Sequence, residues 1–177
     1  PYHRSLNHFH NPLTEQGYSG PWGTGVIVSG MSSTQWMMLP QETQSPGGYY
    51  SWHDVRNYFY KALTSPSQDT RNTYFAETFR GLGQLMHLLQ DASVPAHTRN
   101  DAHVFYNYEK YVIDSNISVF NPVFFNGIIN TVASLIDTNQ YHGTNPGVTA
   151  STNVGISEYT NANFFSEETN AVEGTNY

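Results

Sequence analysis

The chain has 177 residues, a formal net charge of −7 and no cysteine. Its length fits a single domain, predicted to span residues 1–177, and its 15% aromatic content argues against disorder. The acidic balance argues against nucleic-acid binding through a basic surface. Without thiolates, any metal must be held by nitrogen and oxygen ligands.

No apolar stretch approaches the roughly 20 residues of a membrane span. A composition rich in Asn, Ser, Thr, Gly and Tyr and poor in Lys is typical of a secreted or cell-surface bacterial protein. The chain opens at Pro1 with no initiator Met and no visible signal peptide, so we expect a processed product or a fragment.

Residues 1–50 are predicted to be mostly irregular, with residues 26–28 as a candidate strand, because glycine and proline interrupt them often. Ser51 is the predicted N-cap of the first clear helix, with Asp54 as its capping-box partner, and Pro66 closes the helix. The apolar residues at helical spacing in this helix are Trp52, Val55, Phe59 and Ala62.

A second helix is predicted over residues 69–93, with an apolar stripe formed by Phe75, Phe79, Leu82, Leu85, Met86 and Leu89. Gly81 and Gly83 interrupt it at a cost of about 1 kcal/mol each relative to Ala. They indicate the close approach of another helix or of a ligand. Pro95 is expected to end the helix and to open a polar loop that lasts to about residue 102.

Three further helices are predicted. They cover residues 104–113, a segment opened by Asn121 and Pro122 that continues to residue 136, and residues 156–165. Residues 138–155 are expected to form a polar loop and residues 166–177 an extended tail. The predicted class is therefore all-α with long irregular loops.

Five candidate metal ligands lie close together in the sequence, namely His87, Asp91, His97, His103 and Glu109. His87 and Asp91 are four positions apart near a helix end, so both project from one face. They can hold one metal together, or the carboxylate can bridge two. His97, His103 and Glu109 form a second set that leaves a position for water or substrate, and imidazole and carboxylate donors favour zinc.

The simpler alternative for His87 and Asp91 is an ordinary surface pair. The concentration of ligand residues, with the first pair on an otherwise apolar helix, favours a metal, because a buried charge costs several kcal/mol unless it is paired. His8 and His10 add a second clue near the start of the chain. Loop histidines are usually solvated, but beside the cluster each becomes a candidate ligand.

These two segments resemble the zinc-dependent phospholipase C family and the related zinc nucleases that cleave single-stranded nucleic acid. The family's helix carries His-x3-Asp-x5-His with a Pro two positions before the last His, matched here by His87, Asp91, Pro95 and His97. Residues 8–12 match the family's His-Phe-Tyr-Asp-Pro segment. The match makes His8 the ligand and places His10 at the aromatic position.

The resemblance implies three zinc ions around a cleft at one end of an all-α fold. Asp91 would be the catalytic carboxylate that bridges a close metal pair, with His8 and His87 on one of its two ions. The third ion would be held by His97, His103 and Glu109. In the family a His lies four positions before this Glu, where the chain has Phe105, so His103 would have to substitute.

The family completes the metal pair with its own N-terminal residue and with a His and an Asp upstream of the His8 segment. Only seven residues precede His8, so the chain as given is expected to hold one to two zinc ions instead of three. A partner chain or a cleaved N-terminal segment could supply the missing ligands, and a homo-oligomer stays open.

The implied function is hydrolysis of a phosphodiester by metal-activated water, with a phospholipid head group favoured over single-stranded nucleic acid. The alternative is a metal-stabilised structural or assembly protein that keeps a catalytically incomplete phospholipase C-like fold. Residues 158–161 belong either to a helix near the site or to a solvated face.

Overall fold

The computed structural model describes residues 7–20, 29–44, 49–101, 154–164 and 166. Across these ranges the chain forms five helices and no sheet, so the predicted all-α class is confirmed. The helices are α1 (Ser33–Met37), α2 (Trp52–Thr64), α3 (Gln68–Asp91), α4 (Pro95–Thr98) and α5 (Ile156–Asn163). None of the described helices is both long and apolar enough to span a membrane.

The capping box predicted at the start of α2 is confirmed. The Ser51 hydroxyl accepts a hydrogen bond from the Asp54 N–H at 3.1 Å, and the Asp54 carboxylate accepts one from the Ser51 N–H at 3.1 Å. The same carboxylate accepts a 2.7 Å bond from the Glu42 N–H. The capping box therefore satisfies one free amide of the first helical turn, and the Asp54 carboxylate also fixes the loop that precedes the helix.

The α2 and α3 helices pack as an antiparallel hairpin, because Val55 meets Gly81 while Phe59, further along α2, meets the earlier Phe75. A Cβ atom on Gly81 would overlap the Val55 side chain, so the predicted close approach of a second helix is confirmed there. It is wrong for Gly83, where a Cβ would meet none of the described atoms within 4 Å.

The apolar stripe of α3 is only partly buried. Leu85 faces the interior together with Leu88, whereas Phe79 and Met86 expose 70% and 58% of their surfaces. The α2 stripe divides in the same way, since Val55 and Ala62 are buried and Trp52 and Phe59 are exposed. Helical spacing located the apolar rows but not the buried face of α3, because Leu85 is the only one of the six stripe residues that is buried.

The described parts of residues 1–50 contain one short helix that the sequence did not predict, α1, and an isolated bridge between Asn11 and Gln16. The first N–H of α1, from Ser33, donates a 2.9 Å bond to the carbonyl oxygen of Phe9. This contact anchors the segment around residues 7–12 on the rest of the fold.

The expectation that Pro95 ends the long helix and opens a loop is wrong. The α3 helix ends four residues earlier, at Asp91, and Pro95 lies in the first turn of α4 with Val94 as the N-cap. Proline suits this position because the first helical N–H needs no intrahelical partner and its fixed φ angle is already helical.

The last predicted helix is confirmed as α5, which begins after Gly155. The Gly155 N–H donates a 2.7 Å bond to the carboxylate of Glu158, which is fully buried. The candidate strand at residues 26–28 and the helices predicted over residues 104–113 and 121–136 lie outside the described residues. The single-domain assignment and the extended tail stay predictions.

Candidate metal centre

The Asp91 carboxylate, only 4% exposed, lies at the centre of a group of histidines. Its Oδ2 atom lies 3.4 Å from Nε2 of His87 and 4.0 Å from Nδ1 of His8. Its Oδ1 atom lies 3.5 Å from Nδ1 of His97. The two oxygens of one carboxylate therefore face different histidines.

Helix spacing and a tight turn bring three of these side chains together. His87 and Asp91 are one turn apart on α3 and share a face. The chain then turns through a 2.9 Å bond from the Val94 N–H to the carbonyl oxygen of Asp91. The α4 helix, opened by Pro95, returns His97 to the side of the carboxylate.

His8 reaches the cluster from the N-terminal segment. The His10 N–H donates a 2.9 Å bond to the carbonyl oxygen of His97, and the His8 and His97 rings lie with centroids 4.2 Å apart. The His10 ring lies elsewhere, with Nδ1 2.7 Å from the hydroxyl of Ser32. Of the two histidines considered from the sequence, the structure thus places His8 at Asp91.

The separations within the cluster suit a metal ion. Ligands about 2.0–2.1 Å from a tetrahedral ion lie about 3.4 Å from one another. His8, His87 and Asp91 each offer one ligand atom, and these atoms lie within 4.8 Å of one another. This group of two imidazoles and a carboxylate could hold one metal ion after small side-chain rotations.

The electrostatics of Asp91 also favour positive charge nearby. The carboxylate is buried, and it belongs to the last residue of a 24-residue helix, where the helix dipole is negative. Both effects destabilise a carboxylate unless a cation compensates it. A divalent ion would do so, and so would a protonated imidazole of His87 or His97 in an ordinary ion pair.

The cluster is open on one side. The His87 side chain is 39% exposed, while that of His8 is 14% exposed and that of His97 is 1% exposed. Phe9 is buried, and its ring meets the His97 ring edge-on with centroids 5.0 Å apart. Solvent or a substrate can approach from the His87 side, while the His97 side is closed by packing.

Polar contacts with α5 hold the end of α4 in place, and the sequence did not predict them. The Arg99 side chain donates a 2.7 Å bond to the carbonyl oxygen of Phe164 and a second bond to that of Asn161. The Asn161 amide donates a 2.6 Å bond to the carbonyl oxygen of Thr98. The α5 helix is therefore fastened to the helix that carries His97.

The burial of Glu158 and Asn161 decides between the two alternatives for residues 158–161. Both are buried, so they do not form a solvated face. Asn100 is a further residue that sequence reasoning missed. It adopts a positive φ of 58° and exchanges hydrogen bonds with Ser19, a role for which only the tolerance of Asn for this conformation gives a sequence signal.

Four of the six predicted metal ligands are brought together, namely His8, His87, Asp91 and His97. The other two, His103 and Glu109, lie outside the described residues, so the site predicted for them with His97 stays a prediction. Comparisons of the chain with protein-family models, with curated proteins and with solved structures gave no match.

Proposed function

We propose that the chain is a zinc-dependent phosphodiester hydrolase of the phospholipase C type, with zinc held by His8, His87 and Asp91. The observation that carries this proposal is the position of the buried Asp91 carboxylate, whose two oxygens face different histidines. The resemblance of residues 8–12 and 87–97 to the zinc phospholipases implies the same ligands.

Each residue has a defined task in this proposal. Zinc, when bound, would supply positive charge beside the phosphate and lower the pKa of water. His8 and His87 would donate ring nitrogens, and Oδ2 of Asp91 would complete the group. Oδ1 of Asp91, which faces the His97 ring, would be available to a second ion if further ligands were supplied.

The open His87 side is where a phosphodiester would enter. A phospholipid head group is favoured over single-stranded nucleic acid, because a chain of net charge −7 repels a long polyanion more than a single phosphodiester. The expectation of a secreted or cell-surface bacterial protein belongs to the same proposal.

The test combines metal analysis with activity. The purified chain is expected to contain zinc and to cleave phosphatidylcholine, to lose activity in EDTA and to regain it with zinc. Asp91→Asn should remove both zinc and activity, whereas Asp69→Asn, at an exposed carboxylate in the first turn of α3, should keep both. A zinc-loaded chain that cleaves neither phosphatidylcholine nor single-stranded DNA would overturn the hydrolase proposal.

A second function is favoured by one observation. An ion held by His8, His87 and Asp91 would cross-link the N-terminal segment to α3. A structural or assembly protein would use zinc in this way alone. EDTA would then lower the melting temperature or dissociate an oligomer, and no phosphodiester would be cleaved.

A further inference from the structure

One surface outside the Asp91 cluster is apolar and exposed. Its apolar members are spaced along one side of each helix in the α2–α3 hairpin. The ring centroids of Phe59 and Phe75 lie 6.4 Å apart and join the two rows. The exposed members, together called the hairpin face, are Trp52, Phe59 and Leu63 on α2 and Phe79 and Met86 on α3.

The hairpin differs in charge from the rest of the chain. Residues 51–91 contain four of the seven Lys and Arg residues but only four of the fourteen acids. Two of these acids, Asp54 and Asp91, are buried. The surface of the hairpin therefore carries an excess of positive charge on a protein whose net charge is −7. The four cations are Arg56, Lys61, Arg71 and Arg80.

A groove of about 520 Å³ lies beside the hairpin face. Arg56 falls four residues after Trp52 on α2, between the apolar residues of the face and the groove. Among the described residues its guanidinium takes part in none of the hydrogen bonds or ion pairs, so its donors are available to an anion. The groove is lined by Pro40, Gln41, His53, Arg56, Asn57 and Tyr60.

We propose that the hairpin face docks on a bilayer that contains anionic phospholipid, with a lipid phosphate in the groove beside Arg56. Trp52 and Tyr60 are exposed aromatic side chains with a polar end, which suit the boundary between head groups and acyl chains. An amphipathic helix can lie in this boundary, and nearby cations strengthen its attachment to anionic lipid.

The positive charge of the hairpin favours a lipid surface over a second copy of the chain as the partner that covers the hairpin face. In a two-fold dimer the same surface meets itself, so the positive excess of one hairpin, with Arg56, would be brought close to the positive excess of the other. An anionic bilayer neutralises this charge instead. Because Met86 directly precedes His87 on α3, docking would also bring lipid close to the open side of the cluster. Docking itself requires neither zinc nor hydrolysis.

Vesicle flotation of the whole chain in EDTA tests the proposal separately from catalysis. The chain is expected to float with vesicles of phosphatidylcholine and phosphatidylglycerol and to bind pure phosphatidylcholine more weakly. Phe59→Ser combined with Leu63→Ser should lower the partition coefficient about tenfold or more. Arg56→Gln should lower it about fivefold, in line with the contribution of one cation near an anionic surface.

Met38→Ser is the matched control, because Met38 is as exposed as Phe59 but lies outside the hairpin, and it should bind like the wild type. Tryptophan emission should shift to shorter wavelength on binding and lose the shift in Trp52→Phe. If the double variant fails to fold, the results for Arg56→Gln and Trp52→Phe still test the docking proposal. Absence of binding to the anionic vesicles, equal binding by all variants, or a dimer that Phe59→Ser dissociates would overturn the proposal.

Discussion

The main-chain N–H of His10 donates a 2.9 Å hydrogen bond to the carbonyl oxygen of His97. This bond joins an irregular N-terminal segment to a four-residue helix in the middle of the chain. It also places the neighbouring His8 ring 4.2 Å from the His97 ring, within reach of Asp91. The candidate metal centre therefore depends on backbone pairing as much as on ligand spacing along α3.

We predict that zinc stabilises the fold through His8 and His87. An ion present at about 100 times its dissociation constant adds about 2.7 kcal/mol to the free energy of unfolding. His8→Ala and His87→Ala should each lose most of this gain, because each removes a ligand. Thermal unfolding in EDTA and in zinc measures the difference. His53→Ala should keep the full gain, and a full gain in His87→Ala would exclude that residue as a ligand.

Opposite effects are predicted for alanine at the two glycines of α3. Gly83→Ala should raise the free energy of unfolding by about 0.5–1 kcal/mol, since Ala is the better helix former and no described atom obstructs its methyl group. Gly81→Ala should lower it by about 1–3 kcal/mol, because the new Cβ would overlap the Val55 side chain.

Both variants are measured by urea unfolding, once in the wild-type chain and once in a chain that also carries Val55→Ala. The penalty of Gly81→Ala should shrink in that background, since the colliding methyl group is gone. A destabilised Gly83→Ala would show that α3 has a neighbour on that side as well.

The parts of the fold that sequence predicts well depend on local chemistry. Ser51 and Asp54 define the start of α2 because a capping box lies within one turn. Pro95 was assigned wrongly because proline can follow one helix or open the next, and only the packing of α4 decides between them. The exposure of Phe79 could not be predicted either, because periodicity identifies a row of apolar residues but not which of them another element buries.

In the candidate site, too, the local features could be predicted from the sequence and the long-range ones could not. The pairing of His87 with Asp91 follows from their helical spacing. The approach of His97 to the other oxygen of Asp91 depends on the turn between α3 and α4, which no spacing rule fixes. His8 was proposed only through a resemblance, and the structure brings it to Asp91 by a long-range hydrogen bond.

The two serine N-caps of the hairpin are predicted to differ in strength. Ser51 is fully buried and exchanges hydrogen bonds with Asp54, so Ser51→Ala should lower the free energy of unfolding by about 1–2 kcal/mol. Ser67 is exposed, and its bond from the Thr70 N–H is long at 3.4 Å, so Ser67→Ala should cost about 0.5 kcal/mol or less. Equal losses in urea unfolding would contradict this ranking.

Alkaline pH is predicted to destabilise the hairpin through Tyr58. Burial, together with the negative charge of nearby Asp54, raises the pKa of Tyr58 from 10.0 to about 12. Burial and a hydrogen bond to Glu77 raise the pKa of Tyr50 in the same direction. The folded state therefore holds these protons more tightly than the unfolded state does.

The sign of the effect follows from linkage. Below about pH 10 both states keep the phenol proton and the stabilisation is complete, and between about pH 10 and about pH 12 only the unfolded state loses it. Stability should consequently fall across that window. Tyr58→Phe should flatten the fall while lowering stability at neutral pH by about 1 kcal/mol or less, because the 2.8 Å bond from its hydroxyl to the carbonyl oxygen of Tyr49 is lost. Urea unfolding at stepped pH measures how the free energy of unfolding changes with pH. Tyr60→Phe, at an exposed position of the same helix, is the control and should show the wild-type change. If Tyr58→Phe also shows the wild-type change, another group titrates in this window.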